Sequence, residues 1–152
     1  MSMKKYTLYS IIGLIALGIA AFAYYAISPL FRTVVVDERA PAAGVLIGKR
    51  ANVIGTAGHP ASGSVSIFET PDMKYVRYEN LKTINGPDLY IYLAKDLEAK
   101  EYVNLGLLRA TEGNVNYEIP DTVQLAEYRY VMTWCKQFGV LFNYADISDA
   151  NE

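Results

Sequence analysis

The sequence predicts an all-β domain, an antiparallel β-sandwich of about eight strands, preceded by one N-terminal transmembrane helix. Three observations lead to this fold class. An apolar run without a charged residue covers residues 6–31. Beyond about residue 50 the chain consists of short runs rich in Val, Ile, Tyr and Phe, which Gly, Pro, Asn and Asp separate. Strand and helix patterns do not alternate along these runs, which disfavours a parallel sheet and favours a sandwich.

The N-terminal run is long enough to cross a membrane. At a rise of about 1.5 Å per residue, a helix over residues 6–31 exceeds the roughly 30 Å of a hydrocarbon layer. A cleaved signal peptide is the alternative, because Lys4 and Lys5 precede the run and small residues at Ala21 and Ala23 are typical of a cleavage site. Signal peptides have an apolar region of roughly 7–15 residues, so the longer run favours an uncleaved signal anchor.

Charged residues beside the run predict its orientation. Lys4 and Lys5 precede it, whereas Arg32 beyond it is soon offset by Asp37 and Glu38. The positive-inside rule therefore predicts a cytoplasmic N-terminus, residues 1–5, and an extracytoplasmic C-terminal domain on a single-pass membrane protein. Of the 14 Lys and Arg residues 12 follow the run, together with all 16 Asp and Glu residues. This acidic balance disfavours nucleic acid as a partner.

The outer part is expected to divide into a linker, a domain and a tail. Residues 32–50 mix charges, Pro and small residues without sustained periodicity, which indicates a stalk or linker. The domain is expected over residues 51–147, and residues 148–152 form a C-terminal tail. Its strands are predicted at 51–56, 61–68, 73–79, 89–94, 102–108, 115–119, 130–134 and 138–144.

Two of these strands alternate with a period of two, as expected for a sheet that is covered on one side. The positions predicted to share a face are Leu89, Ile91 and Leu93 in one strand and Phe138, Val140, Phe142 and Tyr144 in the other. A single short helix pattern follows the N-terminal run, at residues 121–128 with Asp121 as its N-cap.

Cys135 is the only cysteine of the chain and lies beside the only tryptophan, Trp134. It has no partner in the same chain for a disulfide. Three interpretations stay open. Cys135 is a small buried apolar residue at the end of a core strand, or a thiol at the rim where Lys136 favours the thiolate and Trp134 shields one side, or a cysteine that pairs with another chain.

His59, the only histidine, lies in a Gly-Pro loop, where an imidazole is usually solvated or hydrogen-bonded. One His and one Cys are too few for a closed zinc site or a blue-copper centre, so no metal site is predicted. Haem with Cys135 or His59 as an axial ligand is chemically allowed, but the sequence has no Cys-x-x-Cys-His attachment motif, and the cofactor stays unknown. The absence of hydrolase, kinase and metalloenzyme motifs leans against an enzyme without deciding the matter.

The segment Asn85, Gly86, Pro87 and Asp88 predicts a turn. The Asn85-Gly86 pair is expected to supply a positive φ, and Pro87 fixes the next backbone angle. Asp88 is able to accept hydrogen bonds from backbone amides.

Four blocks of the sequence together resemble the DM-thirteen domain, a proposed electron-transfer domain that animal Skeletor-type proteins contain beside DOMON domains. The blocks are HPASG at 59–63, NGPDLYIYL at 85–93, NYEIP at 116–120 and YRYVMTWCKQFGVLF at 128–142. They occur in the family's order over about residues 51–147, and the Trp-Cys-x-x-Phe-x-Val-x-Phe block is the specific one. The SPLF sequence that closes the N-terminal run is similar to the membrane-anchored prokaryotic members.

The resemblance implies a compact β-sandwich in which Cys135 takes part in redox chemistry, as a bare thiol or as a ligand of a prosthetic group such as haem. His59 matches the family's histidine, and Trp134 and Phe138 match its aromatic neighbours. The predicted function is redox or electron-transfer work at the cell envelope through this one cysteine. The rival interpretation is a non-catalytic binding or accessory module that docks onto a membrane or envelope complex through exposed tyrosines. The first requires that Cys135 is reachable, and the second expects it to be sealed in apolar contacts.

Overall fold

The structure is a computed structural model that describes residues 3–28 and 32–148. Within these residues one α-helix, α1 (Met3–Ile27), precedes ten strands. The strands are β1 (Val35–Asp37), β2 (Val45–Asn52), β3 (Ile54–Gly55), β4 (Ala61–Glu69), β5 (Lys74–Thr83), β6 (Leu89–Ala94), β7 (Tyr102–Leu107), β8 (Glu112–Ile119), β9 (Tyr130–Cys135) and β10 (Val140–Asp146).

The strands form two five-stranded sheets that pack face to face, which confirms the predicted sandwich. The first sheet has the order β1-β8-β5-β4-β2 and the second β3-β10-β9-β6-β7. The short pair β1 and β8 is parallel, and the pairs within the rest of both sheets are antiparallel. Inward side chains of both sheets, such as Ile67, Val76, Ile91 and Val131, are fully buried and form one continuous core.

Helix α1 contains the segment Tyr6–Ile27, which is long and apolar enough to cross a membrane. Its apolar side chains are exposed, including Leu14 at 69%. A helix of this length and composition near the N-terminus is compatible with a membrane span or with a signal sequence. The predicted end of the span at Phe31 and most of the predicted tail fall on residues 29–31 and 149–152, which lie outside the described residues.

The segment predicted as a linker, residues 32–50, contributes β1 and most of β2 to the first sheet. The charged side chain of Glu38 holds it in place. Arg109 Nη1 donates to Glu38 Oε1 over 2.9 Å, and the backbone N–H of Asn116 donates to Oε2 over 2.8 Å. The buried Arg77 donates to the carbonyl oxygen of Glu38 over 3.1 Å. Charges that resemble a solvated linker in the sequence are therefore partners of the sandwich.

Two predictions about local structure are wrong. The predicted stripe at 138–144 fails at both ends, because Phe138 lies in the turn before β10 and a register shift between Leu141 and Asn143 places Tyr144 on the outer face. The predicted helix at 121–128 is only a 3₁₀ turn, Leu125–Glu127, with Gln124 at its N-cap. Asp121 is therefore not a helix cap.

Candidate functional site

Cys135 ends β9, and its side chain lies inside one end of the sandwich. It is 1% exposed and forms a cluster with Leu89 and Phe142, which we call the Cys135 cluster. The register explains this arrangement, because Cys135 lies opposite Leu89 of β6. The side chains packed against the cluster are Ile84, Leu108 and Val140. The sulfur therefore has the surroundings of a buried apolar residue.

His59 lies over the Cys135 cluster without being part of it. Its ring packs on Phe142, with ring centroids 4.0 Å apart and planes 30° apart. Phe142 in turn contacts Cys135 within the cluster. The two residues that the sequence singles out are thus brought to the same end of the sandwich, with one aromatic ring between them.

Thr56 fixes the position and tautomer of His59. Thr56 Oγ1 donates to the carbonyl oxygens of Leu141, at 2.7 Å, and Phe142, at 3.0 Å. His59 Nδ1 lies 3.1 Å from Thr56 Oγ1. Because the hydroxyl hydrogen points to the carbonyl groups, this arrangement favours Nδ1–H as the donor to Thr56. No motif in the sequence points to this role of Thr56.

The His59 turn needs a glycine at position 55. A Cβ atom on Gly55 would lie 2.5 Å from the carbonyl oxygen of His59 and 2.7 Å from the backbone nitrogen of Ala61. The close approach of these backbones brings the His59 ring down onto Phe142.

The turn at residues 85–88 covers the cluster from another side. Asn85 Oδ1 accepts a hydrogen bond of 2.8 Å from the N–H of Gly86, and the carbonyl oxygen of Asp88 accepts one of 2.9 Å from the N–H of Lys136. The φ angles of Asn85 and Gly86 are not positive, contrary to the prediction. Gly86 is instead needed for close packing, since a Cβ atom there would lie 3.1 Å from Leu89 and from Phe142.

Trp134 and Lys136 belong to the opposite face of the second sheet. Trp134 packs against the cluster of Tyr92, Ala94 and Met132 on the outer face, because neighbouring residues of a strand point to opposite faces. The ammonium group of Lys136 lies 5.5 Å from the ring centroid of Tyr90 on that face. Neither side chain shields or polarises the sulfur in the way that the sequence suggested.

The outer face of the second sheet carries an aromatic cluster around Tyr92. The rings of Tyr92 and Tyr102 stack with centroids 4.1 Å apart and planes 13° apart, and Tyr92 is 1% exposed. Burial, followed by the hydrogen bond with Tyr102, raises the pKa of Tyr92 from 10.0 to about 12. The other aromatic rings of this face are Tyr90, Tyr130, Trp134 and Tyr144.

Phe138 and the NYEIP block are not part of the cluster. Phe138 is 45% exposed in the turn between β9 and β10. The block at 116–120 begins with Asn116, which binds Glu38 and Arg39, and runs along β8 away from Glu112. Its last strand residue, Ile119, pairs with Lys74 at the end of the sandwich remote from Thr83 and the turn at residues 85–88.

A surface cavity of about 310 Å³ ends beside the Cys135 cluster. Ile84 lines the cavity and also packs against the cluster. Displacement of this one side chain would therefore open the cluster toward solvent. The other residues that line the cavity are Pro60, Ala61, Ser62, Lys82, Thr83 and Glu112.

A line of buried polar groups runs beside the cluster. Thr133 Oγ1 donates to Asn143 Oδ1 over 3.0 Å, and Asn143 Nδ2 donates to Thr83 Oγ1 over 3.0 Å. Thr133 and Asn143 are fully buried. Because each buried group has a partner, the line fixes the register of β9 and β10 at this end of the sandwich.

The described residues do not fit a metal ion, and Cys135 does not fit a haem. Among residues 3–28 and 32–148 no three His, Cys, Asp or Glu side chains come together in a way that could hold a metal ion. Haem iron bound to Cys135 would need an open face beside the sulfur, where Leu89 and Phe142 pack.

Comparison with known proteins identifies the family of this chain. Comparison with curated proteins and with solved structures gives no match. A family model described as Electron transfer DM13 matches residues 53–147, which include His59, the turn at 85–88 and the β9–β10 hairpin. The match covers more than half of the chain and confirms the resemblance seen in the sequence. The chain belongs to the DM13 electron-transfer domain family.

Proposed function

We propose that this chain is a single-span membrane protein whose sandwich lies outside the cytoplasm and takes part in electron transfer at the membrane surface, with Cys135 as its redox group. The family suggests a redox role, and the apolar helix with Lys4 and Lys5 before it suggests the anchor and its orientation.

One observation carries the redox assignment to Cys135. Three separate segments, the His59 turn, the turn at 85–88 and the β9–β10 hairpin, meet around the Cys135 cluster, and all three lie within the family match. A buried cysteine that only fills space would not need a hydrogen-bonded turn and an oriented imidazole above it. The convergence of these segments therefore supports a thiol that a reaction partner reaches only when the surrounding residues move.

The chemistry that suits a single thiol is exchange with a disulfide of a partner. The Cys135 thiolate attacks one sulfur of the partner's disulfide, a new S–S bond forms, and the old S–S bond breaks. Two electrons pass to the leaving sulfur, which departs as a thiolate and takes up the proton that Cys135 lost. Because this chain has no other cysteine, a dithiol of an electron donor then attacks the sulfur of Cys135 in the mixed disulfide and releases the partner's remaining sulfur as a thiol. The second thiol of the donor closes the donor's own disulfide and restores the Cys135 thiol, so that two electrons pass from the donor to the partner.

Access to the sulfur is proposed to pass through Ile84. The cavity beside it is open to solvent, and Ile84 separates the cavity from the Cys135 cluster. A local opening that moves this side chain costs less than global unfolding, so the thiol reacts from a minor open state.

Glutathione buffers test this proposal on the full chain in bilayer discs. The wild-type chain should form one mixed disulfide with glutathione under native conditions, as a mass increase that Cys135→Ala abolishes. Ile84→Ala should raise the rate about tenfold or more, because truncation of a packed side chain makes local opening easier. Leu108→Ala is the matched control, since Leu108 packs on the same cluster but does not line the cavity.

A chain that reacts only when it is globally unfolded, with Ile84→Ala no faster than Leu108→Ala, would contradict the redox assignment. That result would favour the second candidate, a binding module that docks onto an envelope complex. The 1% exposure of Cys135 and the aromatic outer face around Tyr92 support this candidate. Under it, Cys135→Ala would leave partner binding intact, and Tyr102→Ala on the outer face would weaken it.

Orientation has a separate test. In a Cys135→Ala background, a new cysteine at the exposed Ser148 should react with a membrane-impermeant maleimide in intact cells, or after the outer membrane is opened where one is present. Labelling that requires lysis of the inner membrane would contradict an extracytoplasmic domain.

A further inference from the structure

The tip of the β9–β10 hairpin is a polar turn that carries one exposed apolar side chain. Lys136, Gln137, Phe138 and Gly139 are all exposed, and Phe138 presents 45% of its surface. An exposed Phe at the tip of a tight turn contributes nothing to the core of the sandwich. Its apolar surface is instead available for contact with lipid or with another molecule.

The hairpin tip contacts the membrane helix. The rings of Phe138 and Phe22 meet edge to face, with centroids 6.4 Å apart and planes 87° apart. One helical turn closer to the end of α1, Tyr25 Oη donates a hydrogen bond of 3.2 Å to Gln137 Oε1.

These contacts fix the depth of the hairpin tip relative to the helix. Phe22 lies five residues before Ile27, the end of the apolar segment, which corresponds to about 7.5 Å along the helix axis. The segment Tyr6–Ile27 has 22 residues, about 33 Å, so it only just spans a hydrocarbon layer of about 30 Å. Phe22 is then inside the layer and close to its boundary, and the neighbouring Phe138 is at nearly the same depth.

A second contact brings the same end of the sandwich toward the membrane. Asn85 Nδ2 donates to the carbonyl oxygen of Arg32 over 3.2 Å, five residues after α1 ends at Ile27. Arg32 and Lys136 are both exposed there and suit the phosphate groups of phospholipids.

We infer that the tip of the β9–β10 hairpin inserts into the boundary between headgroups and acyl chains of the bilayer that α1 spans, with Phe138 as its anchor. This inference rests on the proposed membrane span. An aromatic residue beside a basic one is the composition that favours the interface, where the ring enters the acyl boundary and the ammonium group stays with the phosphates. The end of the sandwich that holds Cys135 thereby faces the lipid.

Fluorescence quenching by brominated phosphatidylcholine tests the depth of Phe138 in the full chain. In a Trp134→Phe background, which removes the only natural tryptophan, single tryptophans are introduced as Phe138→Trp, Leu14→Trp and Asp72→Trp. Leu14 lies near the middle of the helix, and Asp72 is exposed between β4 and β5 at the remote end of the sandwich. The bilayers carry bromine either close to the glycerol or near the ends of the acyl chains.

Phe138→Trp should lose about half or more of its emission to the shallow bromines, because an interfacial ring lies within roughly 5–10 Å of the acyl boundary. Leu14→Trp should be quenched mainly by the deep bromines, and Asp72→Trp by neither. If Leu14→Trp is quenched while Phe138→Trp responds only to aqueous acrylamide, the inference is overturned and the span stands. If Leu14→Trp is not quenched either, the span itself fails.

A Phe138→Trp signal that neither bromine nor acrylamide quenches would mean that protein, such as a second copy of the chain, covers the ring, and would also overturn the inference. A second measurement keeps Trp134 in place in case its replacement prevents folding. In the wild-type chain, a phospholipid with a diazirine on its acyl chain should label the peptide that contains Phe138 and not the peptide that contains Asp72. The reverse pattern would again overturn the inference.

Discussion

Cys135 shows how a single side chain's function depends on the residues that enclose it. Cys135 clusters with Leu89 and Phe142, and Ile84 packs against this cluster and also lines a surface cavity. A thiol in such a position is protected from indiscriminate oxidation, because reagents reach it only when the cover opens. Under the proposed function, the packing of its neighbours would then set the rate of thiol exchange.

Substitution of Cys135 should separate the effect of polarity from that of volume. Cys135→Ser should lower the free energy of unfolding by about 1–3 kcal/mol, because it buries a hydroxyl group among hydrocarbon side chains. Cys135→Ala removes the same atom without adding polarity and should cost less, about 1 kcal/mol. Denaturant unfolding measures both values. Equal stability of the serine variant and the wild type would mean that the sulfur is solvated.

The sequence predicts the position of Cys135 at a strand end but not its exposure. Alternation assigns Trp134 and Cys135 to opposite faces of one strand, and this rule alone argues against Trp134 as a shield for the sulfur. Which face is the core depends on the partner sheet, which no local pattern reveals. Ile84 and Thr56 carry no sequence signal, because their importance comes from contacts with residues distant in the chain.

Strand β1 is the element whose role differs most from expectation. It pairs in parallel with the first residues of β8, and Val36 lies opposite Gly113. The two backbones approach so closely that a Cβ atom on Gly113 would lie 2.0 Å from the carbonyl oxygen of Val36. A glycine at this position therefore makes the pairing feasible.

Gly113→Ala should release β1 from the sheet. Gly106 is a matched control, because its φ of +114° is close to the +107° of Gly113 but no atom lies near its missing Cβ. Gly106→Ala should lower the free energy of unfolding by about 1 kcal/mol through backbone strain alone. Gly113→Ala should lower it by at least about 1 kcal/mol more. Hydrogen exchange at the amide of Glu38, which donates to Asn114, should accelerate only in the Gly113 variant. Equal effects of the two variants would argue against a steric requirement.

An ion pair links the start of β9 to the end of β10. Arg129 donates from Nε and Nη2 to Asp146 Oδ2 over 3.0 and 2.8 Å. The hydrogen bonds from Arg129 hold the pKa of Asp146 below its usual range. A carboxylate with a lowered folded-state pKa stabilises the fold above its unfolded pKa, near 3.9, and loses this contribution as pH falls through the folded value.

The stability difference between wild type and Asp146→Asn should therefore be constant near neutral pH and shrink below about pH 4. Thermal unfolding across this pH range measures it, and its size should be small because the pair is largely exposed. Asp72→Asn, at an exposed turn, provides a control without the Arg129 contact. A difference that grows toward acid would contradict the assignment.

Prediction at the level of elements succeeds where the pattern is local. Strands β4 to β9 follow short apolar runs between breakers, and the structure has them close to the predicted positions. The segment 32–50 lacks such a pattern because its strands lie at a sheet edge and depend on Glu38 and its distant partners. Long-range pairing of this kind leaves little trace in local periodicity.

The stability of the whole domain should respond to alkali through Tyr92. Its pKa is raised from 10.0 to about 12 in the folded state. A raised folded-state value contributes stability that is complete below the unfolded pKa and is lost as pH rises from about 10 through 12. Tyr92→Phe should therefore lose less stability than the wild type between pH 10 and 12 in denaturant unfolding. Tyr75→Phe, in β5 of the first sheet and outside the cluster around Tyr92, serves as the comparison, and identical alkaline profiles of the wild type and Tyr92→Phe would exclude this contribution.

The incorporation of β1 into the sandwich limits how far the domain can move away from helix α1. Helix α1 ends at Ile27 and β1 starts at Val35, so the connecting backbone spans no more than about 28 Å even when fully stretched. Under the proposed function, an electron carrier held by so short a connection would not move between distant sites. Its donors and acceptors would have to reach it by diffusion in the plane of the bilayer, and two-dimensional diffusion would then set how often electrons are delivered.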